Sequence, residues 1–148
     1  DGARIMGLDN PEKKMSKSAS SPKNYISLMD NPATVEKKIK AAVTDSGTEV
    51  KGGAERPALA NLLMIFSLVT GKTVAEIEAA HAGQSYGAFK QNLADAVNAW
   101  LAPLQAKILA FSKDEAMLLK VLEDGAKKAE EEAEVKMKVV RQKIGVAL

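Results

Sequence analysis

Residues 57–69 read Pro-Ala-Leu-Ala-Asn-Leu-Leu-Met-Ile-Phe-Ser-Leu-Val, and this run decides the fold. The run is apolar almost all round, which is typical of a helix buried at the centre of a domain. Asn61 and Ser67 interrupt it, and it is too short to span a bilayer. Gly71 follows and predicts where the helix ends. The sequence therefore predicts a central helix on which the other elements pack.

The chain after this run has helical patterns to its end. Thr73 and Glu76 have the spacing of a capping box and predict a short helix. Residues 86–111 carry an apolar stripe at spacings of three and four. Trp100 falls on that stripe, so we expect it in the core. The lone His81 lies between these two helices, and we expect it at the surface or at a helix end.

Two more helices are predicted near the carboxy terminus. A second capping box, Ser112 with Glu115, begins one of them. Gly125 separates it from the last helix, which carries a narrow apolar seam made of Ala126, Ala129, Ala133, Met137, Val140 and Ile144.

The chain before the central run contains one further helix start, at Asn31 followed by Pro32. In this helix Val35, Ile39 and Val43 are expected on the buried face. The opposite face holds a group of lysines, namely Lys37, Lys38 and Lys40. The predicted fold class is mainly α, a bundle of about five or six helices. A short strand end over residues 3–8 and a mobile loop over residues 9–23 precede the bundle.

Composition excludes several kinds of site. The chain has no cysteine, which excludes disulfides, thiolate zinc sites and cysteine nucleophiles. With a single histidine it cannot supply a multi-histidine metal site, and no metal-ligating residue is predicted. The net charge is +2, and the excess lies in residues 1–56, which hold ten Lys or Arg against eight Asp or Glu. That is far less than the broad basic surface of a non-specific nucleic-acid binder.

The loop contains the run Lys-Met-Ser-Lys-Ser at residues 14–18. Two ammonium groups and two hydroxyls within five residues can surround a polyphosphate, with the lysines as point charges and the hydroxyls as donors. On composition alone, a solvated loop is the alternative. The glycine-rich loop of Walker type is absent, so an ordinary P-loop ATPase is not supported.

Residues 14–18 match the KMSKS signature of class I aminoacyl-tRNA synthetases. The segments on either side narrow the resemblance. Residues 1–6, residues 24–28 and the run over residues 35–46, which ends in Thr-Asp-Ser, are similar to the tryptophanyl-tRNA synthetases. The tyrosyl enzymes share the loop but usually lack the Thr-Asp-Ser landmark. The resemblance implies that the chain is the carboxy-terminal fragment of a larger α/β enzyme.

This resemblance implies a chemistry and roles for named residues. In the family, the tryptophan carboxylate attacks the α-phosphate of ATP to give tryptophanyl-adenylate and pyrophosphate, and the aminoacyl group then passes to tRNA(Trp). Lys14 and Lys17 are the expected catalytic residues, because they neutralise charge on the leaving pyrophosphate. Magnesium is expected to bridge the phosphates. The expected ATP-binding residues are Ile5, Lys14, Met15, Ser16, Lys17 and Ser18.

The resemblance also implies a division of the chain and a set of partners. Residues 1–30 would end the nucleotide-binding catalytic domain, and residues 31–148 would form the helical domain that binds the tRNA anticodon. The amino-terminal catalytic half, with the His-Ile-Gly-His-type signature and the tryptophan pocket, would be a separate partner. The isolated fragment would then be inactive, and the full-length enzyme a homodimer.

The start of the chain agrees with this expectation. It begins with Asp1 rather than Met, which indicates that a preceding segment was removed. No charged-then-apolar leader opens it, so we expect a cytoplasmic protein without a membrane partner. Two other functions stay open, namely a non-catalytic helical tRNA-binding or regulatory module and a purely structural helical bundle.

Overall fold

The computed structural model describes residues 4–146. The mainly α fold is confirmed, with helices α1 (Pro32–Lys40), α2 (Pro57–Thr70), α3 (Val74–Ala80), α4 (Tyr86–Phe111) and α5 (Glu115–Lys143). The predicted strand end forms one isolated antiparallel bridge, between Met6 and Lys14, and no longer strand within the described residues. Ala3, its first predicted residue, lies outside the described residues. The chain forms two compact units, Asp1–Gln105 and Ala106–Leu148.

Helix α2 is buried in the core of the first unit, as its composition predicted. Leu59 and Leu63 are completely buried on this helix, and Leu62 is almost so. The other helices of the unit contribute side chains at spacings of three or four, namely Val35 and Ile39 from α1, Ile77 from α3, and Phe89, Leu93, Val97 and Leu101 from α4. Complete burial of one such side chain contributes about 1.5–3 kcal/mol. Val43 was expected on the buried face of α1 but is 44% exposed, because α1 ends at Lys40.

Three of the predicted helix boundaries are confirmed. The Asn31 side chain accepts a hydrogen bond from the Thr34 N–H at 2.8 Å, which caps α1. Thr73 and Glu76 form the reciprocal capping box of α3. Gly71 ends α2 with a φ of 72°, a left-handed conformation that glycine adopts without steric cost.

Two predictions at the carboxy-terminal end are wrong. Gly125 does not end a helix, because α5 is continuous from Glu115 to Lys143. One glycine inside a helix costs only about 1 kcal/mol, which a helix of this length tolerates. Ser112 does not cap α5 either. Asp114 does, by accepting the Met117 N–H at 2.9 Å, while the Ser112 hydroxyl donates to the Ile108 carbonyl at the end of α4.

Helix α5 differs from the helices of the first unit because none of its side chains is buried. Its predicted seam is exposed at Met137 (41%) and at Ile144 (66%). No single helix among residues 4–146 combines the length and apolar composition needed to cross a membrane. Helices α2 and α3 pass that test only as a pair, and they are bent by 103° at the break between them.

We expect the replacement Leu63→Ala to destabilise the chain strongly. Leu63 is completely buried, and truncation of a buried leucine leaves a cavity that costs about 2–5 kcal/mol. Leu68→Ala on the same helix is the matched control, since Leu68 is 50% exposed and should cost under about 1 kcal/mol. Urea unfolding followed by circular dichroism measures both variants. If the two variants lose the same free energy of unfolding, α2 is not the centre of the core.

Candidate functional site

The base of the loop is a short pair of antiparallel segments. The Met15 N–H donates to the Ile5 carbonyl at 2.9 Å, and the Gly7 N–H donates to the Lys13 carbonyl at 2.8 Å. Met6 and Lys14 form the bridge between these two hydrogen bonds. The structure therefore brings together Ile5 and Met15, two of the predicted ATP-binding residues that are ten positions apart in sequence.

Asn61 connects this base to the core. Its side-chain oxygen accepts the Met6 N–H, and its side-chain nitrogen donates to the Met6 carbonyl, both at 2.9 Å. Asn61 is 8% exposed, so its amide needs these partners. The sequence interpretation treated Asn61 only as an interruption of the apolar run. A polar residue in an otherwise buried helix was the signal that could have identified it.

Asn24 closes the loop at its other end. Its side-chain oxygen accepts the Ser16 N–H at 3.0 Å, and its side-chain nitrogen donates to Asp9 at 2.6 Å. Its backbone carbonyl accepts the Leu8 N–H at 2.9 Å. Asn24 is 5% exposed. Sequence reasoning missed its role, because nothing in the local pattern distinguishes it from other polar loop residues.

The charged groups of the loop point outward from this base. Lys14, Lys17 and Ser18 are exposed, whereas Ser16 is half-buried. The Ser16 hydroxyl accepts the Ser18 N–H at 3.2 Å, which forms a turn at the motif. Within residues 4–146, neither the Lys14 nor the Lys17 ammonium takes part in an ion pair. Both ammonium groups are therefore available to an anion.

An apolar pocket of about 360 Å³ adjoins the same residues. Its walls are Ile5, Met15, Ile26, Leu28, Ile65, Leu68, Val69, Val97, Trp100 and Leu101. Trp100 was expected in the core but is 45% exposed, because it forms part of this open pocket instead. Leu28 and Leu68 are each about half exposed. The loop thus presents two surfaces, one cationic and one apolar.

The predicted basic face of α1 is smaller than its three lysines indicate. Lys38 forms a largely buried ion pair with Asp30 and lies 5.0 Å from the centroid of the Tyr25 ring. Lys40 pairs with Glu36 one turn earlier on the helix. Of the three, only Lys37 has no ion pair in the described part of the chain.

His81 lies at a helix end, as one of its two expected positions, but it is buried there and not at the surface. It is the C-cap residue of α3, and its ring lies 5.4 Å from the rings of both Phe66 and Phe89. Its Nδ1 atom lies 2.7 Å from the Ile77 carbonyl, and its Nε2 atom lies 3.2 Å from the Asn92 side-chain nitrogen. With both ring nitrogens in use, His81 is part of the core and not of the loop site.

Lys90 supports the loop site from α4. Its ammonium is buried and donates to the Ala42 carbonyl at 2.7 Å, just beyond the end of α1. A cation is favourable at this end of a helix. Burial lowers the pKa of Lys90. The next residue, Val43, donates its N–H to the Leu8 carbonyl at 2.8 Å, so the end of α1 is joined to the base of the loop.

The Thr-Asp-Ser landmark participates in a second polar network. Asp45 accepts hydrogen bonds from Arg56 at 2.7 Å and from the Tyr86 hydroxyl at 2.7 Å. The Arg56 guanidinium, followed by the Tyr86 hydroxyl, holds the pKa of Asp45 well below its ordinary value. Burial, followed by the Asp45 carboxylate, raises the pKa of Tyr86. This network attaches the connector between α1 and α2 to the first residue of α4.

Comparison with known proteins gives consistent similarities. Residues 3–102 match the family described as tRNA synthetases class I (W and Y). The tryptophan–tRNA ligase of Listeria monocytogenes is 44% identical over 146 residues, which is 98% of this chain and 44% of that protein. This chain therefore spans less than half the length of that curated relative.

Solved structures agree. The crystal structure of tryptophanyl-tRNA synthetase from Mycoplasma pneumoniae superimposes with a TM-score of 0.82 at 28% identity, covering 96% of this chain and 43% of that one. The enzyme from Campylobacter jejuni, complexed with ADP and tryptophan, gives a TM-score of 0.71 at 31% identity, covering 97% of this chain and 44% of that one.

We expect Asp45→Asn to remove a pH-dependent part of the stability. Because the folded state lowers the pKa of Asp45, the ionised carboxylate stabilises the fold at any pH above its unfolded-state pKa of about 4. This stabilisation is lost as the pH falls towards the folded-state pKa. Wild type should therefore melt higher than Asp45→Asn at pH 7, and the gap should narrow below about pH 4. The Tyr86→Phe variant should retain part of this pH-dependent stabilisation, because Arg56 still pairs with Asp45. Thermal unfolding between pH 7 and pH 2 measures this, and a gap independent of pH would contradict it.

Proposed function

Because this chain belongs to the class I tRNA synthetases of the W and Y family, we propose that it is the carboxy-terminal part of a tryptophan–tRNA ligase. The identity of 44% to a ligase of that name, spread over 98% of the chain, favours tryptophan over tyrosine as the amino acid. One structural observation supports the proposal most directly. Lys14 and Lys17 project from a loop whose base is hydrogen-bonded to the core through Asn61.

The proposed role of the loop is to stabilise the leaving pyrophosphate. When a carboxylate oxygen of tryptophan bonds to the α-phosphorus, the bond from that phosphorus to the bridging oxygen breaks, and negative charge moves onto the pyrophosphate. The Lys14 and Lys17 ammonium groups would neutralise that charge as it develops. Ser16 and Ser18 would shape the turn or donate to phosphate oxygens. Ile5, at the base, would bind the adenine ring through its backbone.

Magnesium is proposed to arrive with ATP and not as a resident ion of this chain. Among residues 4–146, no group of three or more His, Asp or Glu side chains could hold a metal ion. The residues present do not form a magnesium site of their own, so no step is assigned to the ion. In this proposal the metal is part of the nucleotide substrate.

The proposed functional division follows the sequence interpretation. Residues 1–30 would complete the ATP site, and residues 31–148 would bind tRNA(Trp). Anticodon bases are single-stranded and can be recognised by stacking and hydrogen bonds, without a broadly basic surface. The near-neutral charge of the chain is compatible with that mode. A homodimeric complete enzyme belongs to the same proposal.

The rest of the ligase is proposed to pack on the apolar pocket. Leu28, Leu68 and Trp100 are each about half exposed there, which is unfavourable unless another surface covers them. The pocket also contains Ile5 and Met15, so a covering segment would lie next to the proposed adenine position. The relatives extend well beyond the length that this chain matches, and so contain enough additional chain for that segment.

We expect the isolated chain to be inactive in tryptophan-dependent pyrophosphate exchange. By the proposal, the tryptophan pocket and the other half of the ATP site belong to the amino-terminal part. Joining this chain to the amino-terminal part of the Listeria monocytogenes relative should restore exchange. Exchange by the chain alone would contradict the proposed division. A joined protein that folds and binds tryptophan but does not exchange would favour the non-catalytic module.

In the joined enzyme, Lys17→Ala should slow adenylate formation by roughly a hundred- to a thousandfold, or about 3–4 kcal/mol. Tryptophan affinity should change little, because the lost interaction is strongest in the transition state. Lys23→Ala, which removes an equal charge from the other end of the loop, is the matched control. Lys17→Arg should rescue only in part, since a planar guanidinium does not replace a compact ammonium. Single-turnover kinetics measure these rates. A Lys17→Ala rate within about threefold of wild type would contradict the proposed role of Lys17 in stabilising the leaving pyrophosphate.

A further inference from the structure

Asn24 is the residue at which the two ends of the loop meet. Its side chain contacts Ser16 within the motif through the oxygen and Asp9 before the motif through the nitrogen. Its backbone pairs with Leu8 through the carbonyl and with Ser21 through the N–H. An amide buried to this degree holds its position firmly, because breaking either side-chain bond leaves a buried polar atom unpaired.

Gly7 provides the space that Asn24 occupies. A Cβ atom at position 7 would lie 2.1 Å from the Asn24 side-chain nitrogen and 3.1 Å from the Asn10 carbonyl. Its backbone φ is not positive, so glycine is required here for space and not for backbone conformation. The arrangement therefore depends on a residue pair, a buried amide and the absence of a side chain opposite it.

We propose that Asn24 is a positioning residue for the phosphate-binding loop, and that it acts with Asp9 and Gly7. As far as phosphate is concerned, the inference rests on the function proposed above. Asn24 sets the pose of the motif through the Ser16 N–H, between the two lysines, and does not itself contact phosphate. Without this clamp, Lys14 and Lys17 would lose a common fixed base, and binding an anion would require the loop to be ordered first.

Exchanging two side chains tests the clamp. In Asn24→Asp, a second carboxylate faces Asp9 at the 2.6 Å contact, so the side chain should move and release the Ser16 N–H. Combining Asn24→Asp with Asp9→Asn restores one donor and one acceptor at this contact and keeps the net charge. Asp9→Asn alone should resemble wild type, since an amide oxygen can still accept from Asn24.

The measurement is amide hydrogen exchange of the 148-residue chain, followed by NMR at Ser16. Hydrogen exchange at Ser16 should be about tenfold faster in Asn24→Asp than in wild type. In the double variant Asp9→Asn, Asn24→Asp it should be within about threefold of wild type. The Leu63 amide in α2 serves as reference, because a global loss of stability would accelerate both sites. The inference would be overturned if Asn24→Asp left the hydrogen exchange of Ser16 unchanged. It would also be overturned if the double variant did not recover the wild-type exchange rate.

Gly7→Ala gives an independent test. Gly7→Ala and Asn24→Ala should each accelerate exchange of the Ser16 amide. Exchange in the double variant should be no faster than in the faster single variant, because both substitutions remove the same contact. Gly53→Ala is the matched control, since a Cβ there meets nothing within 4 Å. Additive effects of Gly7→Ala and Asn24→Ala would count against a shared clamp.

Titration of the same chain with tripolyphosphate separates the two proposals. Asn24→Asp should weaken binding at least threefold, with recovery in the exchanged pair, whereas Lys17→Ala should weaken binding without changing Ser16 exchange. If Ser16 behaves as expected but the wild-type chain does not bind tripolyphosphate, the proposed function fails and the clamp stands. If the wild-type chain binds and Asn24→Asp binds equally well, the positioning role fails and the proposed function stands.

Discussion

The amide of Asn61 is the contact on which the loop site depends. It lies in an apolar helix, where an unpaired amide would cost several kcal/mol, and the backbone of Met6 satisfies it from both sides. This fixes Met6 relative to the core, and the pairing of Met6 with Lys14 then fixes the start of the motif. The site is thus positioned by a polar residue inside the element that otherwise provides hydrophobic stability.

Further supports act on the same short segment from other helices. The buried ammonium of Lys90 donates to the Ala42 carbonyl just beyond α1. The adjacent Val43 N–H donates to the Leu8 carbonyl, which connects this end of α1 to the base of the loop. Leu8 in turn pairs with Asn24. Asn61 of α2 therefore acts on residues 6–8 directly, and Lys90 of α4 acts on them through the segment that follows α1. These hydrogen bonds support a loop of polar residues that has no apolar core of its own.

The sequence predicted features whose causes are local and missed those whose partners are distant. The caps at Asn31 and Thr73 depend on atoms within three residues, and the burial of α2 depends on its own composition. Asn61 pairs with a residue 55 positions away, which no local pattern reveals. Trp100 was misplaced, and the burial of His81 was missed, for a similar reason. Periodicity shows that a residue faces other elements, but whether the space there is filled depends on how those elements pack.

The exposed position of Trp100 has an optical consequence. It is the only tryptophan of the chain, so the indole emission of the chain comes from one wall of the apolar pocket. An indole that passes from water to an apolar environment emits at shorter wavelength. The emission wavelength of the intrinsic fluorescence therefore reports whether a ligand or another segment has entered or covered that pocket. No added label is needed for this signal.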